Sequence, residues 1–255
     1  KKTGLEFEEE KKSFGYVFRK NILPILRVVV LGLVALGFLS FFGYRFVYRP
    51  LRAVSLYRQG HKEITQDRFD RGNEYFDRAV NTQIFWRWFY KYADTFREKR
   101  QYFLVQEKYE QILTLDAPRR KKQKPEFTKP TENYQKVHFV YGEFEYSVMK
   151  NYEKAETLLL KYLDFKPGNY EGLITLGDMY MEWAEEDRAK YEEARYSYAL
   201  LIEKYGRKPE LLFRMLKYFI RLDKETEVLR LKEYFDTSPK IKVDPAAYAE
   251  LGGYL

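Results

Sequence analysis

The feature that most constrains this chain is Val28–Tyr44, VVVLGLVALGFLSFFGY, a stretch without a charged residue. As a helix rising about 1.5 Å per residue it covers about 25 Å, close to the ~30 Å hydrocarbon core of a bilayer. Ile22, Leu23, Ile25 and Leu26 extend it on one side and Phe46, Val47 and Tyr48 on the other. Arg27 and Arg45 can reach from its ends toward headgroups, and Phe14, Tyr16, Phe18 and Tyr48 suit an interfacial aromatic belt. The mean hydropathy of the whole chain is −0.60, so the run is a local exception. No small-residue cleavage pattern follows it, and Arg45, Arg49, Arg52 and Arg58 come next, which reads as a retained anchor rather than a cleaved signal. Segment 22–48 is therefore expected to be a single transmembrane helix, preceded by a juxtamembrane segment over 1–21. Gly32, Gly37 and Gly43 miss the GxxxG spacing of a glycine-packed helix dimer. Lys11, Lys12, Arg19, Lys20 and Arg27 upstream balance Arg45, Arg49, Arg52, Arg58 and Lys62 downstream, so cation bias leaves the orientation open. The short leading segment and the large trailing one favour a cytoplasmic N-terminus in the inner (cytoplasmic) membrane. The bulk of the chain is then expected outside the cytoplasm, in the periplasm.

The chain beyond the anchor has little equipment for catalysis. There is no cysteine, and the two histidines, His61 and His138, stand far apart, which removes thiol chemistry, disulfides and cysteine-type zinc sites. No glycine-rich phosphate loop, GxSxG or HExxH motif occurs. Acidic runs such as Glu8–Glu10 and Glu185–Asp187 read as solvated faces. The expectation is no enzyme, no cofactor and no metal. The net charge of +8 is concentrated in one place: Arg119, Arg120, Lys121, Lys122, Lys124 and Lys129 face a single acid, Glu126. That basic loop is either a solvated linker or a contact for an acidic partner. It lacks the interleaved aromatics of a nucleic-acid surface, and no small-molecule substrate is indicated.

Beyond residue 50 the pattern is helical, with apolar and aromatic residues recurring every three or four positions. Leu173, Leu176, Gly177 and Tyr180 follow a turn at Lys166-Pro167-Gly168, and that turn follows Ala155, Leu159 and Tyr162. These spacings resemble the tetratricopeptide repeat, W-x2-L-G-x2-Y, then A-x3-F-x2-A, then P. Phe139 and Tyr146 fit the first helix of the preceding repeat, with Gly142 one place early. Ala194, Tyr198 and Leu201 fit a second helix arriving about five residues late, which implies a longer connection around Glu182–Lys190. Weaker copies hold Leu56, Gly60, Gly72, Phe76 and Ala79; Phe89, Tyr92, Ala93, Phe96, Val105, Tyr109 and Ile112; and 212–219 with 228–235. Tyr248, Leu251, Gly252 and Leu255 open another, with Asp244 as N-cap and Pro245 in the first turn. Starts fall near residues 53, 86, 136, 170, 209 and 245, and the one long step holds the basic insertion 118–130.

The fold class expected is all-α: an N-terminal transmembrane helix, then a TPR-like α-solenoid of helix-turn-helix repeats over 53–255, about five repeats plus the first helix of a sixth. Gly60, Ala93, Gly177 and Gly252 would let helices approach closely, while Phe76, Tyr109, Leu159 and Tyr198 would fill the space to the next helix. The chain opens on Lys1 and stops at Leu255 partway through a repeat, so further repeats are expected. The resemblance implies a groove lined by first helices, which places Tyr57, His61, Arg87, Tyr90, Asp94, Arg97, Phe144, Asp178 and Met181 on a partner-binding face. The paired Lys and Asn clamp of chaperone-binding repeats is missing, since Val140, Phe144, Ile174 and Asp178 occupy comparable faces. The function implied is a membrane-anchored, protein-binding scaffold whose partners are other proteins of a membrane complex and the lipid bilayer. The combination also resembles the repeat-bearing collar proteins around spirochete periplasmic flagellar motors. The alternatives are a receptor or co-chaperone capturing client peptides in the groove, and a regulatory subunit of a membrane enzyme complex.

Overall fold

The computed structural model describes residues 23–116, 130–238 and 244–255, and the described residues are helical throughout, joined by short turns. Two compact units divide the chain, 1–88 and 89–255.

In the first unit, α1 (Leu23–Phe42) runs without a break through a wider π-helical segment, Gly43–Tyr48, into α2 (Arg49–Thr65). The widening shows in the Arg49 amide, which donates to the Tyr44 carbonyl five residues back. Beyond Leu23, the leucines, valines and phenylalanines of α1 are about half exposed or more. The continuous helix Ile25–Thr65 is long and apolar enough in its first half to cross a membrane, by length and composition. α2 turns at Asp67 and is met by α3 (Phe69–Thr82). Ala53, Leu56, Tyr57, Gly60 and Ile64 recur at helical spacing and bury one face of α2 against Gly72, Phe76 and Ala79 of α3. The approach is closest at Gly72, where any β-carbon would collide with the Ile64 side chain and lie 3.0 Å from the Gly60 carbonyl. Tyr57 organises the aromatic core: its ring stacks on Trp88 at 5.3 Å and meets Phe76 edge-on at 5.5 Å.

In the second unit, helices again pair antiparallel. After α4 (Trp86–Glu98), which begins in the first unit, come α5 (Tyr102–Leu115), α6 (Glu132–Phe144), α7 (Tyr152–Phe165), α8 (Tyr170–Trp183), α9 (Lys190–Tyr205), α10 (Pro209–Arg221), α11 (Glu225–Thr237) and α12 (Pro245–Tyr254). Helices begin at 86, 170, 209 and 245, the positions from which the sequence spacing counts its repeats. Side-chain caps fix several starts: Thr131, Asn151, Asn169 and Asp244 each accept an amide hydrogen of the first turn.

The turns inside the pairs share one device. Asp67, Arg100, Lys150 and Asp223 take positive φ, and each stands two residues before the second helix of its pair. A single left-handed residue reverses the chain in three or four residues, which keeps the two helices in contact. The α8–α9 pair lacks it, because its connection is longer, Ala184–Ala189. Within the pairs small meets large: Gly177 of α8 lies under the Tyr198 ring of α9, and Gly142 of α6 lies under Leu159 of α7. Gly252 departs from this pattern, since nothing lies within 4 Å of the space its β-carbon would occupy. α12 closes instead on Leu212, Leu216 and Val228 through Ala247 and Leu251.

Candidate functional site: a charged groove along α8 and α10

The first helices of two successive pairs, α8 and α10, form the walls of an open groove of about 630 Å³ in the second unit. Asp178, Met181, Glu182 and Glu185 recur at three- and four-residue spacing and line one wall; Phe213, Arg214, Lys217 and Arg221 do so on the other. Tyr198 of α9 and Tyr146, in the π-helical turn after α6, complete the lining. One wall carries three acids and the other three bases, so the groove is close to neutral overall while strongly polarised across its width.

Asp178 is the hub. Arg214 grips it with both arms, Nε to Oδ1 at 2.7 Å and Nη2 to Oδ2 at 2.8 Å, and the Tyr198 hydroxyl donates to Oδ1 at 2.7 Å. The hydrogen bond to Asp178 raises the Arg214 pKa, and burial beside the Asp178 charge raises the Tyr198 phenol far above its ordinary value. Both groups hold their protons across the accessible pH range. Burial works to raise Glu182, but Lys150, Tyr152 and Tyr146 together hold it below the usual carboxylate range. Arg221 approaches Glu185 at 3.6 Å, and Lys217 reaches away to Glu250 of α12 at 3.8 Å. Both pairs are solvent-exposed and weak. The apolar surface left between the charges is Met181 and Phe213. An arrangement of this kind can hold a polypeptide by its shape and charge pattern. Among the described residues no cluster of three or more His, Asp or Glu side chains could hold a metal ion.

The residues placed on a partner face by the sequence end up in several environments. Asp178 and Met181 line this groove. Phe144 does not: it is 1% exposed, edge-on to Tyr102 and Tyr109, because the α6 face that carries it turns toward α5. Tyr57 is likewise wholly buried, with its hydroxyl spent on the Gln83 carbonyl at 3.1 Å. His61 is half-buried and edge-on to Trp88, and Arg87 is exposed over the same indole at 5.8 Å. On α4, Asp94 and Arg97 are exposed; burial raises the Asp94 carboxyl. Tyr90 is half-buried, under the Lys136 ammonium at 4.8 Å. The basic residues Arg119, Arg120, Lys121, Lys122, Lys124 and Lys129 lie outside the described residues, as does segment 1–21. The sequence reading missed the whole α10 wall. Its signal was available, since Phe213, Lys217 and Arg221 recur every four residues from the repeat start at 209.

No family model matches this chain, and no curated protein does. Among solved structures it is similar to a thermophilic TPR protein of Thermus thermophilus, with a TM-score of 0.39 and 13% identity over 79% of this chain and 98% of that one. It is also similar to PilF of Pseudomonas aeruginosa, with a TM-score of 0.34 and 16% identity over 82% and 100% of the two chains. A third similarity is to PilW, described as a widely conserved type IV pilus biogenesis factor, with a TM-score of 0.37 and 10% identity over 79% and 97%. All three TM-scores lie below 0.5.

Proposed function

We propose that this chain is a non-catalytic scaffold, anchored in a membrane by 22–48, that presents TPR-like helix pairs over 53–255 as docking surface for other proteins of a membrane assembly. One observation carries the reading. The apolar stretch and the first helix of the first pair are one helix, Ile25–Thr65, with no linker between them. A receptor that searches for clients gains from a flexible tether, whereas a scaffold gains from a rigid mount. The groove along α8 and α10 supplies a docking site of suitable chemistry, with Met181 and Phe213 as apolar contacts and Lys217 and Arg221 as the cations least committed to internal partners.

The finer reading is a bacterial inner-membrane protein with its helix pairs in the periplasm, part of an assembly such as the collar of a spirochete flagellar motor. Its support is architectural: one anchor, helix pairs and an aromatic content of 18%. The basic residues Arg119–Lys124 are proposed as a second contact, for an acidic partner. Crosslinking mass spectrometry in native membranes, followed by purification after solubilisation, tests the reading. A stoichiometric complex with crosslinks from Lys217 and from the 119–124 lysines is the expected result. Transient binding to many unrelated peptides would favour the client receptor instead, and co-purification with one enzyme whose rate changes would favour a regulatory subunit.

A further inference from the structure

The uncharged stretch ends at Tyr44, and the cations just beyond it are tied to another part of the first unit. Arg45 Nη1 donates to Gln83 Oε1 at 3.4 Å, and Arg49 Nη2 donates to the Thr82 carbonyl at 2.5 Å. Thr82 is the last residue of α3 and Gln83 the first beyond it. These contacts hold the α3–α4 turn beside the first turns of helix after the apolar stretch. If that stretch spans a bilayer, Arg45 and Arg49 mark the depth at which it leaves the hydrocarbon, and the turn lies at the same depth.

The composition of the turn suits that level. It reads Gln83-Ile84-Phe85-Trp86-Arg87. Ile84 is 39% exposed, Arg87 is exposed, and Phe85 and Trp86 are half-buried. Across from it Tyr44 and Tyr48 stack at 5.6 Å and are more than half exposed, as an interfacial aromatic pair would be. Arg52 extends the cationic surface, its guanidinium 6.0 Å from the Tyr48 ring. Charge is sorted along the α2–α3 hairpin in the same sense. No Asp or Glu occurs between Glu10 and Glu63, and Glu63, Asp67, Asp70 and Glu74 lie toward the hairpin's other end. Asp77, the acid nearest the turn on α3, is five residues before Thr82, roughly 8 Å along the helix.

We propose that the α3–α4 turn is a second membrane contact. Ile84 enters the headgroup zone of the leaflet in which the apolar stretch ends, and Arg45, Arg52 and Arg87 bind the phosphates of acidic phospholipids there. This rests on the anchor reading and adds a consequence to it: the α2–α3 hairpin is pinned to the bilayer at two points and cannot swivel about its anchor.

Because the chain has no cysteine, single labels can be placed cleanly. The full chain carrying Phe38→Cys, Ile84→Cys or Asp70→Cys is labelled with an environment-sensitive fluorophore and reconstituted into phosphatidylcholine–phosphatidylglycerol vesicles. Quenching by nitroxide lipids then reads depth. Phe38 should be deep, Ile84 shallow but quenched about threefold more than Asp70, and Asp70 at the aqueous level. Quenching at Phe38 with Ile84 no different from Asp70 overturns the second contact and leaves the anchor standing. Absence of quenching at Phe38 removes the anchor reading and the inference with it. With the nitroxide carried on phosphatidylglycerol or on phosphatidylcholine, the preference of the Ile84 probe for the acidic lipid should fall about fivefold for each of Arg45→Gln and Arg52→Gln. An unchanged preference overturns the phosphate-binding role of the arginines.

Discussion

Gly177 gives the sharpest test of how the helix pairs are built. A methyl group there would stand 2.5 Å from Tyr198 Cε1 and 2.9 Å from Cδ1, about 1 Å inside the ~3.5–4.0 Å at which carbon atoms pack. The ring has little room to yield. It is 1% exposed, and its hydroxyl is held by Asp178, which Arg214 holds in turn. Overpacking of this kind costs about 1–3 kcal/mol, while alanine in mid-helix regains about 1 kcal/mol of backbone entropy over glycine. Gly177→Ala should therefore lower stability by up to about 2 kcal/mol. In a Tyr198→Ala background, itself weakened by about 3–5 kcal/mol, the methyl enters vacated space and only the helix-propensity gain remains. There Gly177→Ala should stabilise by about 1 kcal/mol, a coupling of about 1–3 kcal/mol between residues in contact. Urea unfolding of the full chain in detergent micelles measures both effects, and hydrogen exchange should place the loss in α8 and α9. If Gly177→Ala has the same sign in both backgrounds, the close approach of α8 to α9 is not what selects glycine at this position.

Four further outcomes come from particular contacts. Glu145 is fully buried at the π-helical turn after α6, where Gln106 Nε2 donates to its Oε1 at 2.7 Å, Lys154 Nζ lies 3.2 Å from the same oxygen, and Oε2 has no hydrogen-bond partner among the described residues. Lys154→Met should cost about 3 kcal/mol by leaving that carboxylate uncompensated, and adding Glu145→Gln should recover most of the loss; a cost under about 1 kcal/mol in urea unfolding would contradict this. Arg100 is exposed in the left-handed region, so Arg100→Gly should stabilise by about 0.5–1 kcal/mol whereas Arg100→Ala should not, measured by the unfolding midpoint. His138 is buried, and its Nδ1–H donates to the Tyr134 carbonyl at 2.6 Å; burial, with the nearby Lys161 charge, outweighs that bond and lowers its pKa. The unfolded chain then binds the proton more readily, so stability should fall as pH drops below about 6.5 and level off beneath the lowered folded value, and His138→Phe should flatten that slope in melting curves between pH 7.5 and 5. Asp178→Asn should weaken the hold on Arg214 and Tyr198 by about 1–2 kcal/mol, and loss of crosslinks from Lys217 in the same variant would tie the groove to partner binding.

The all-helical class, the pairing of helices and four of the six repeat starts could be read from spacing, because a buried stripe must recur every three or four residues whatever the partner. The small-against-large contact at Gly177 was legible for the same reason, whereas Gly142, one place early by spacing, packs against Leu159 all the same. The four left-handed turn residues were not. Asp67, Arg100, Lys150 and Asp223 have no common side chain, since what is shared is a backbone conformation set by the distance between the two helices. The partner face was only partly legible. Helical spacing says which residues share a side of a helix but not which neighbour that side meets, so Tyr57 and Phe144, read as groove residues, belong to the core. The α10 wall escaped notice because its repeat matches the pattern poorly, although its charges recur at the right interval.

Net charge was the least informative number for the groove. The +8 of the chain suggests an acidic partner, and six basic residues do fall within one short stretch of sequence, 119–129. Along α8 and α10, however, the structure sets Asp178 on Arg214 and Glu185 near Arg221, so most of the local charge is matched internally. A ligand drawn in by bulk positive charge would have to break those pairs or ignore them. Binding that leaves them intact must use Met181, Phe213 and the side chain of Lys217, and it should therefore be less sensitive to salt than binding through the basic residues 119–124. Raising ionic strength should release partners crosslinked to Lys121 or Lys122 well before those crosslinked to Lys217. Release of both sets at the same salt would mean that the groove binds by charge after all.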